Sequence, residues 1–201
     1  MPTSADVLIA RHFFSPHEAG LYAGVATLGR IILFLPASIS LVLFPKIAHD
    51  SAKGGSGQGF LRTGLGLTFV LSGSATLLFL LAPRLVLRTA LGGEYVGADN
   101  LLPLYAIASF LFSLVIFLLY FHLARRQFSY LYLVLLPHIV AEFLLPYAFH
   151  SSAEQLAGVL IFVNMSLLVF SLAFTRLSQE GPIPITKRIL TPLREFQADR
   201  L

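Results

Sequence analysis

Five apolar runs, each about long enough to cross a bilayer, constrain this 201-residue chain more than any other feature. A helix traversing the hydrocarbon core needs about 20 mostly apolar residues. Residues 20–44, 63–83, 101–123, 128–149 and 156–175 each meet that requirement. Charged residues make up 12% of the chain and mean hydropathy is +0.80. Soluble domains carry about twice that charged fraction, so a bilayer is the natural solvent for this sequence. Strands of a membrane barrel alternate in polarity over about ten residues, and these runs do not. The expected fold is an all-α integral membrane protein with five transmembrane helices.

A shorter segment, "MPTSADVLIARHFF", precedes the first run. It is too short to span, and its positive charge follows its apolar core instead of preceding it as in a signal peptide. We read residues 5–14 as the outer end of a partial helix, within a transmembrane bundle covering 1–176. The positive-inside bias sets orientation. With the loop after the first span inside, one side carries Lys46, Lys53, Arg62, Arg125, Arg126, Arg176, Lys187, Arg188, Arg194 and Arg200. The other carries Arg11, Arg84 and Arg88. This places the C-terminus in the cytoplasm and the chain in the cytoplasmic (inner) membrane as a multi-pass protein. The basic tail, 177–201, has Ile185, Ile189, Leu193 and Phe196 roughly on one helical face, with Thr191 and Pro192 as a possible helix start. An interfacial helix on an anionic leaflet and a loosely ordered tail both remain open. The segment "HDSAKGGSGQGF" (49–60) reads as a flexible connection. It lacks the GK[ST] ending of a phosphate-binding loop.

The informative residues are those an apolar span should not contain. Arg30 costs about 2.5–3.5 kcal/mol at mid-membrane on insertion scales, and Pro36 removes a helix hydrogen bond. Together they suggest a bent helix lining a polar cavity, with a fixed cation for an anionic substrate. The alternative is an arginine that reaches the headgroups or pairs with a carboxylate. In "PHIVAEFLLP", His138 and Glu142 stand four apart on one helical face, between Pro137 and Pro146. They are candidates for ion coupling, since each can change charge near the other, or for a neutral pair that fixes packing. Gly20 and Gly24, and in the second span Gly64, Gly66, Ser72, Gly73 and Ser74, suggest close helix contact. Asn164 reads as an interhelical hydrogen bond, and Asp6, Glu94 and Asp99 as solvated groups near the outer face. With no cysteine, thiolate sites and disulfides are excluded. No metal-ligand cluster or nucleophile–base set is visible, so neither cofactor, metal, catalytic residue nor nucleic-acid partner is expected.

The stretch "ADVLIARHFFSPHEAGLYAGVATLGRIILFLPASISLVLFPKIA" resembles the polysaccharide-export flippases, the O-antigen and teichoic-acid exporters of the multidrug/oligosaccharidyl-lipid/polysaccharide superfamily. The resemblance lies in Asp6, Phe14, Ser15, Pro16, Glu18, Ala19, Gly20, Tyr22, Arg30, Pro36, Phe44 and Pro45. "GGEYVGA" is similar to an element before a later span of that family. The resemblance implies one half of a two-bundle flippase, spans seven to twelve, facing a cavity that receives a polyprenyl-linked oligosaccharide. It implies a transporter and not an enzyme, acting in polysaccharide or lipopolysaccharide biosynthesis. Membrane lipids and a missing N-terminal half, or a second subunit, would be its partners. On the resemblance, Arg30 would meet the pyrophosphate-sugar head group, and Pro36 would allow the helix to rock. The alternatives are a multidrug or metabolite antiporter of the same superfamily and, in another class, a membrane-embedded glycan-assembly enzyme or accessory protein.

Overall fold

The computed structural model describes residues 5–149 and 151–179. Every regular element among them is helical: α1 (Ala5–Phe13), α2 (Pro16–Ala52), α3 (Gln58–Leu81), α4 (Pro83–Ala90), α5 (Leu101–Ala124), α6 (Leu136–Ala148) and α7 (Ala153–Gln179). A 3₁₀ turn, Gly93–Ala98, precedes α5, and a π turn, Leu131–Leu135, leads into α6. The helices α2, α3, α5 and α7, and the joined segment Leu131–Ala148, are each long and apolar enough to cross a membrane. The chain is an all-α membrane protein.

Local chemistry sets the helix ends. The Ser15 hydroxyl accepts from the Glu18 amide at 3.3 Å, and the Glu18 carboxylate accepts from the Ser15 amide at 3.1 Å. This reciprocal cap starts α2 at Pro16, whose missing N–H costs nothing in a first turn. The 37 residues of α2 make a rod of about 55 Å, longer than the bilayer core of about 30 Å. The segment read as a flexible linker is therefore largely helical. Residues 49–52 complete α2, and α3 begins at Gln58. The turn between them uses the left-handed conformations of Gly54 (φ +83°) and Gly57 (φ +66°), which glycine adopts without a Cβ clash. The Asp50 carboxylate accepts from the Gly57 amide at 3.0 Å and closes the turn. The connection between α3 and α5 likewise holds structure, in α4 and the 3₁₀ turn.

The α5 helix is central and packs against α2, α3 and α7, while α6 is peripheral and touches α7 and α1. A helix apolar on all sides belongs in the middle of a bundle, and α5 buries Ser109, Ser113 and His122 along with its Leu and Phe residues. In α3 the buried stripe is Leu61, Gly64, Thr68, Ser72, Thr76 and Phe79, small or hydroxylated in the middle. Its opposite face presents Leu67, Val70, Leu77, Leu78 and Leu81 outward, as a lipid-facing surface requires.

Within the membrane-crossing helices, close approach is concentrated at three glycines. A Cβ at Gly64 would enter the Phe117 ring of α5, one at Gly29 would lie 2.5 Å from the Tyr105 ring, and one at Gly24 would lie 2.5 Å from Tyr95. Gly20 and Gly66 face open space, and Gly73 meets Phe110 at an ordinary 3.5 Å. The Gly20–Gly24 spacing is thus not a helix–helix notch. Gly24 instead receives a tyrosine from the turn before α5, and Ser74 is exposed.

The helix α2 continues through Pro36, and the reason is visible across the interface. Without an N–H, Pro36 leaves the Ile32 carbonyl four residues back without its helical donor. The Ser72 hydroxyl of α3, fully buried, donates to that carbonyl at 3.2 Å. A neighbouring serine satisfying a proline-freed carbonyl is how the hydrocarbon interior tolerates such breaks.

Candidate functional site

Two groups of buried polar side chains are hydrogen-bonded into clusters, one toward each end of the bundle. The first is built on Asp6. It is 4% exposed, which overturns its reading as a solvated outer carboxylate. The short helix α1 packs on α2 and α6, placing Asp6 where two phenols converge. The Tyr105 hydroxyl of α5 donates to Asp6 Oδ2 at 2.7 Å, and the Tyr22 hydroxyl of α2 donates to the same oxygen at 3.3 Å. The two rings meet edge to face at 5.7 Å. One carboxylate oxygen held by two hydroxyls satisfies a charge that would otherwise be costly to bury.

Two of the three charged or titratable candidates, Arg30 and Glu142, lie in the electrostatic neighbourhood of this cluster. Arg30, half-buried on α2, and Glu142, 9% exposed on α6, lie near enough to Tyr105 for their charges to act on its hydroxyl, as does Asp6. Arg30 and Glu142 each have interactions within the protein. Gly29, one residue before Arg30, lets the Tyr105 ring lie directly against the α2 backbone. The Ser109 hydroxyl, close to Gly29, is buried without a hydrogen-bond partner among the described residues. Pro36 is buried six residues further along α2.

His138 sits at the margin. Its Nδ1 is 2.7 Å from the Val134 carbonyl oxygen and its Nε2 is 3.3 Å from the Ser166 hydroxyl of α7. The carbonyl can only accept, so Nδ1–H donates to it. The nearer acceptor for the one Ser166 hydrogen is Val163 O, at 2.8 Å. Asn164 makes the interhelical bond expected of it, donating to Ala108 O of α5 at 3.2 Å. Arg84 Nε donates to Asp99 at 2.6 Å, and this partner holds the Asp99 carboxyl below the usual carboxylate range.

The second cluster, at the basic end, has no counterpart in the sequence reading. His122, fully buried in the last turn of α5, lies 2.6 Å from the Gln127 carboxamide and 2.9 Å from the Thr175 hydroxyl. A hydroxyl has one hydrogen, and Thr175 gives its own to Ser171 O at 2.7 Å; the Gln127 carboxamide oxygen can only accept, so His122 Nδ1–H donates to it. By the same logic Tyr130 donates to the Ser171 hydroxyl at 2.8 Å, because that hydroxyl donates to Leu167 O. Tyr130 stacks on His122 at 4.5 Å. The network fastens α7 to the connection between α5 and the π turn. Beside it, burial lowers the affinity of the Arg125 guanidinium for its proton, with Asp50 opposing. The only sequence signal was a polar residue at each of several helical turns, 122, 171 and 175, on helices already legible as spans.

Among the described residues, no group of three or more His, Asp or Glu is arranged to hold a metal ion. No family model matches this chain, and no characterised protein or solved structure matches it either.

Proposed function

We propose that this chain forms part of a lipid-linked oligosaccharide flippase of the cytoplasmic membrane, moving a polyprenyl-pyrophosphate-linked glycan by alternating access together with a complementary half. The observation that supports this reading is the placement of Arg30. A permanent cation stands within a membrane-spanning helix, near enough to Tyr105 for its charge to act on that hydroxyl, one residue from a glycine notch. A charge so expensive to insert marks a substrate or ion pathway more often than a packing site. In this reading the head-group diphosphate and the internal carboxylates compete for one guanidinium. Neutralising Glu142 would then strengthen the hold of Arg30 on the substrate and link transport to pH, with His138 on the same helix as a relay candidate. Pro36, bridged by one side-chain hydroxyl where a backbone amide would stand, gives α2 a joint that can open.

The test is complementation with the full-length protein in a cell of matching glycan chemistry. Loss of the protein leaves glycolipid in the inner leaflet, and restoring it relieves the accumulation; failure to relieve it rejects the reading. Arg30→Ala is expected to lower transport per inserted molecule about tenfold or more, the loss of one charge-assisted contact, while insertion is unimpaired. Unchanged transport would make Arg30 structural. A pH profile unmoved by His138→Gln removes the relay. The two buried phenols that converge on Asp6 support a second reading, a multidrug or metabolite antiporter. Cation-driven efflux of an aromatic drug, unaffected by glycolipid, would favour it.

A further inference from the structure

An open apolar groove of about 310 Å³ runs between α3, α5 and α7, walled by Leu65, Gly66 and Phe69 on one side and Leu168 and Leu172 on the other, with Leu114 at its floor. Its volume is that of a small ligand pocket, and it faces the hydrocarbon layer. Gly66 has nothing within 4 Å of where a Cβ would stand, so the missing side chain leaves room in the groove. The helical register adds a head-group site. Arg62 precedes Leu65, Gly66 and Phe69 by three, four and seven residues, and so lies on the groove-facing side of α3. Arg176 follows Leu168 and Leu172 by eight and four residues, and so continues the same face of α7. Both arginines are exposed, and among the described residues neither has an ion-pair partner. Each wall of the groove therefore ends in a cation at the same, basic end of the bundle.

We infer that this groove binds one anionic phospholipid of the inner leaflet, its phosphate held between Arg62 and Arg176 and an acyl chain laid over Gly66. An apolar channel crowned by two exposed cations is complementary to a phospholipid with net negative charge, and a zwitterionic lipid gains little from the second arginine. The long arginine stems lie along apolar surface and carry their charge to the phosphate level. The site is independent of what the bundle transports.

The experiment is native mass spectrometry of the full chain in detergent, titrated with phosphatidylglycerol, phosphatidylcholine of the same chains, or a polyprenyl phosphate. The wild type is expected to retain one phosphatidylglycerol in preference to phosphatidylcholine. Each basic residue near an anionic phosphate contributes about fivefold in affinity, so Arg62→Gln or Arg176→Gln should weaken retention about fivefold and the double variant about 25-fold. Gly66→Leu, whose Cβ meets no neighbour and whose longer side chain fills the groove, should fold normally and lose retention of both diacyl lipids. Equal retention of the two diacyl lipids, or anionic preference surviving the double arginine variant, overturns the inference. So does tighter retention of the polyprenyl phosphate, which would assign the groove to a transported lipid.

Discussion

Replacing Ser72 with alanine removes the hydroxyl that serves the Ile32 carbonyl across the α2–α3 interface. Interhelical hydrogen bonds in membranes contribute about 0.6 kcal/mol on average and up to about 1.7 kcal/mol. This one lies toward the top of that range, because Ser72 is fully buried and Pro36 cannot supply a replacement donor. An orphaned buried acceptor costs about 1–3 kcal/mol, so Ser72→Ala should destabilise by about 1–2 kcal/mol. In a Pro36→Ala background the amide of residue 36 donates to Ile32 O, and the same substitution should cost close to nothing. The double-mutant cycle therefore predicts a coupling of about 1 kcal/mol. Pro36→Ala alone should stabilise by less than the roughly 3 kcal/mol that separates proline from alanine in a helix interior, since Ser72 already covers part of the loss. The assay is reversible unfolding in mixed detergent micelles followed by circular dichroism, with melting shifts of about 2–4 °C per kcal/mol for a chain of this size. Equal costs for Ser72→Ala in both backgrounds, within about 0.3–0.5 kcal/mol, would refute the pairing. If Pro36→Ala also slows transport while stabilising the fold, the joint in α2 is used in the transport cycle.

Tyr105→Phe removes the 2.7 Å bond to Asp6 and should cost about 1.5–3 kcal/mol, more than Tyr22→Phe, whose bond is 3.3 Å; the reverse order in detergent unfolding would contradict the cluster's geometry. Gly64→Ala drives a methyl into Phe117 and should destabilise by about 1–3 kcal/mol, whereas Gly66→Ala should be neutral or stabilising by about 0.5–1 kcal/mol, as melting of the two variants would show. The Asp99 carboxyl is held below its ordinary range by Arg84. The Arg84 contact therefore contributes above the unfolded carboxylate pKa and is lost as pH falls through the lower folded value. In Arg84→Gln the carboxyl titration, followed by carbon NMR, should move up toward about 3.9; an unmoved midpoint would rule out Arg84 as the cause.

The sequence by itself determined which segments are helices crossing the membrane, because that signal is local. About 20 apolar residues need only their own composition to leave water for lipid, and the start of α2 is written in Ser15, Pro16 and Glu18. Arg30 and Glu142 were legible as residues with a cost to explain, and Asn164 as a bond between helices. Tertiary structure decided what the oddities do. Asp6 looked like a surface carboxylate because its own helix is short, and only the convergence of Tyr22 and Tyr105 from two other helices buries it. Gly20–Gly24 matched a packing motif, yet only Gly24 of that pair takes a close contact, alongside Gly29 and Gly64, because a notch exists only where a partner ring, Tyr95, Tyr105 or Phe117, is placed against it. Ser72 and Pro36 are 36 positions apart, and nothing local ties a serine in one span to a proline in another. In a bilayer, helices form one at a time from local hydrophobicity. Which faces meet is settled afterwards by steric fit and by the need to satisfy each buried polar atom, and those partners come from distant parts of the chain.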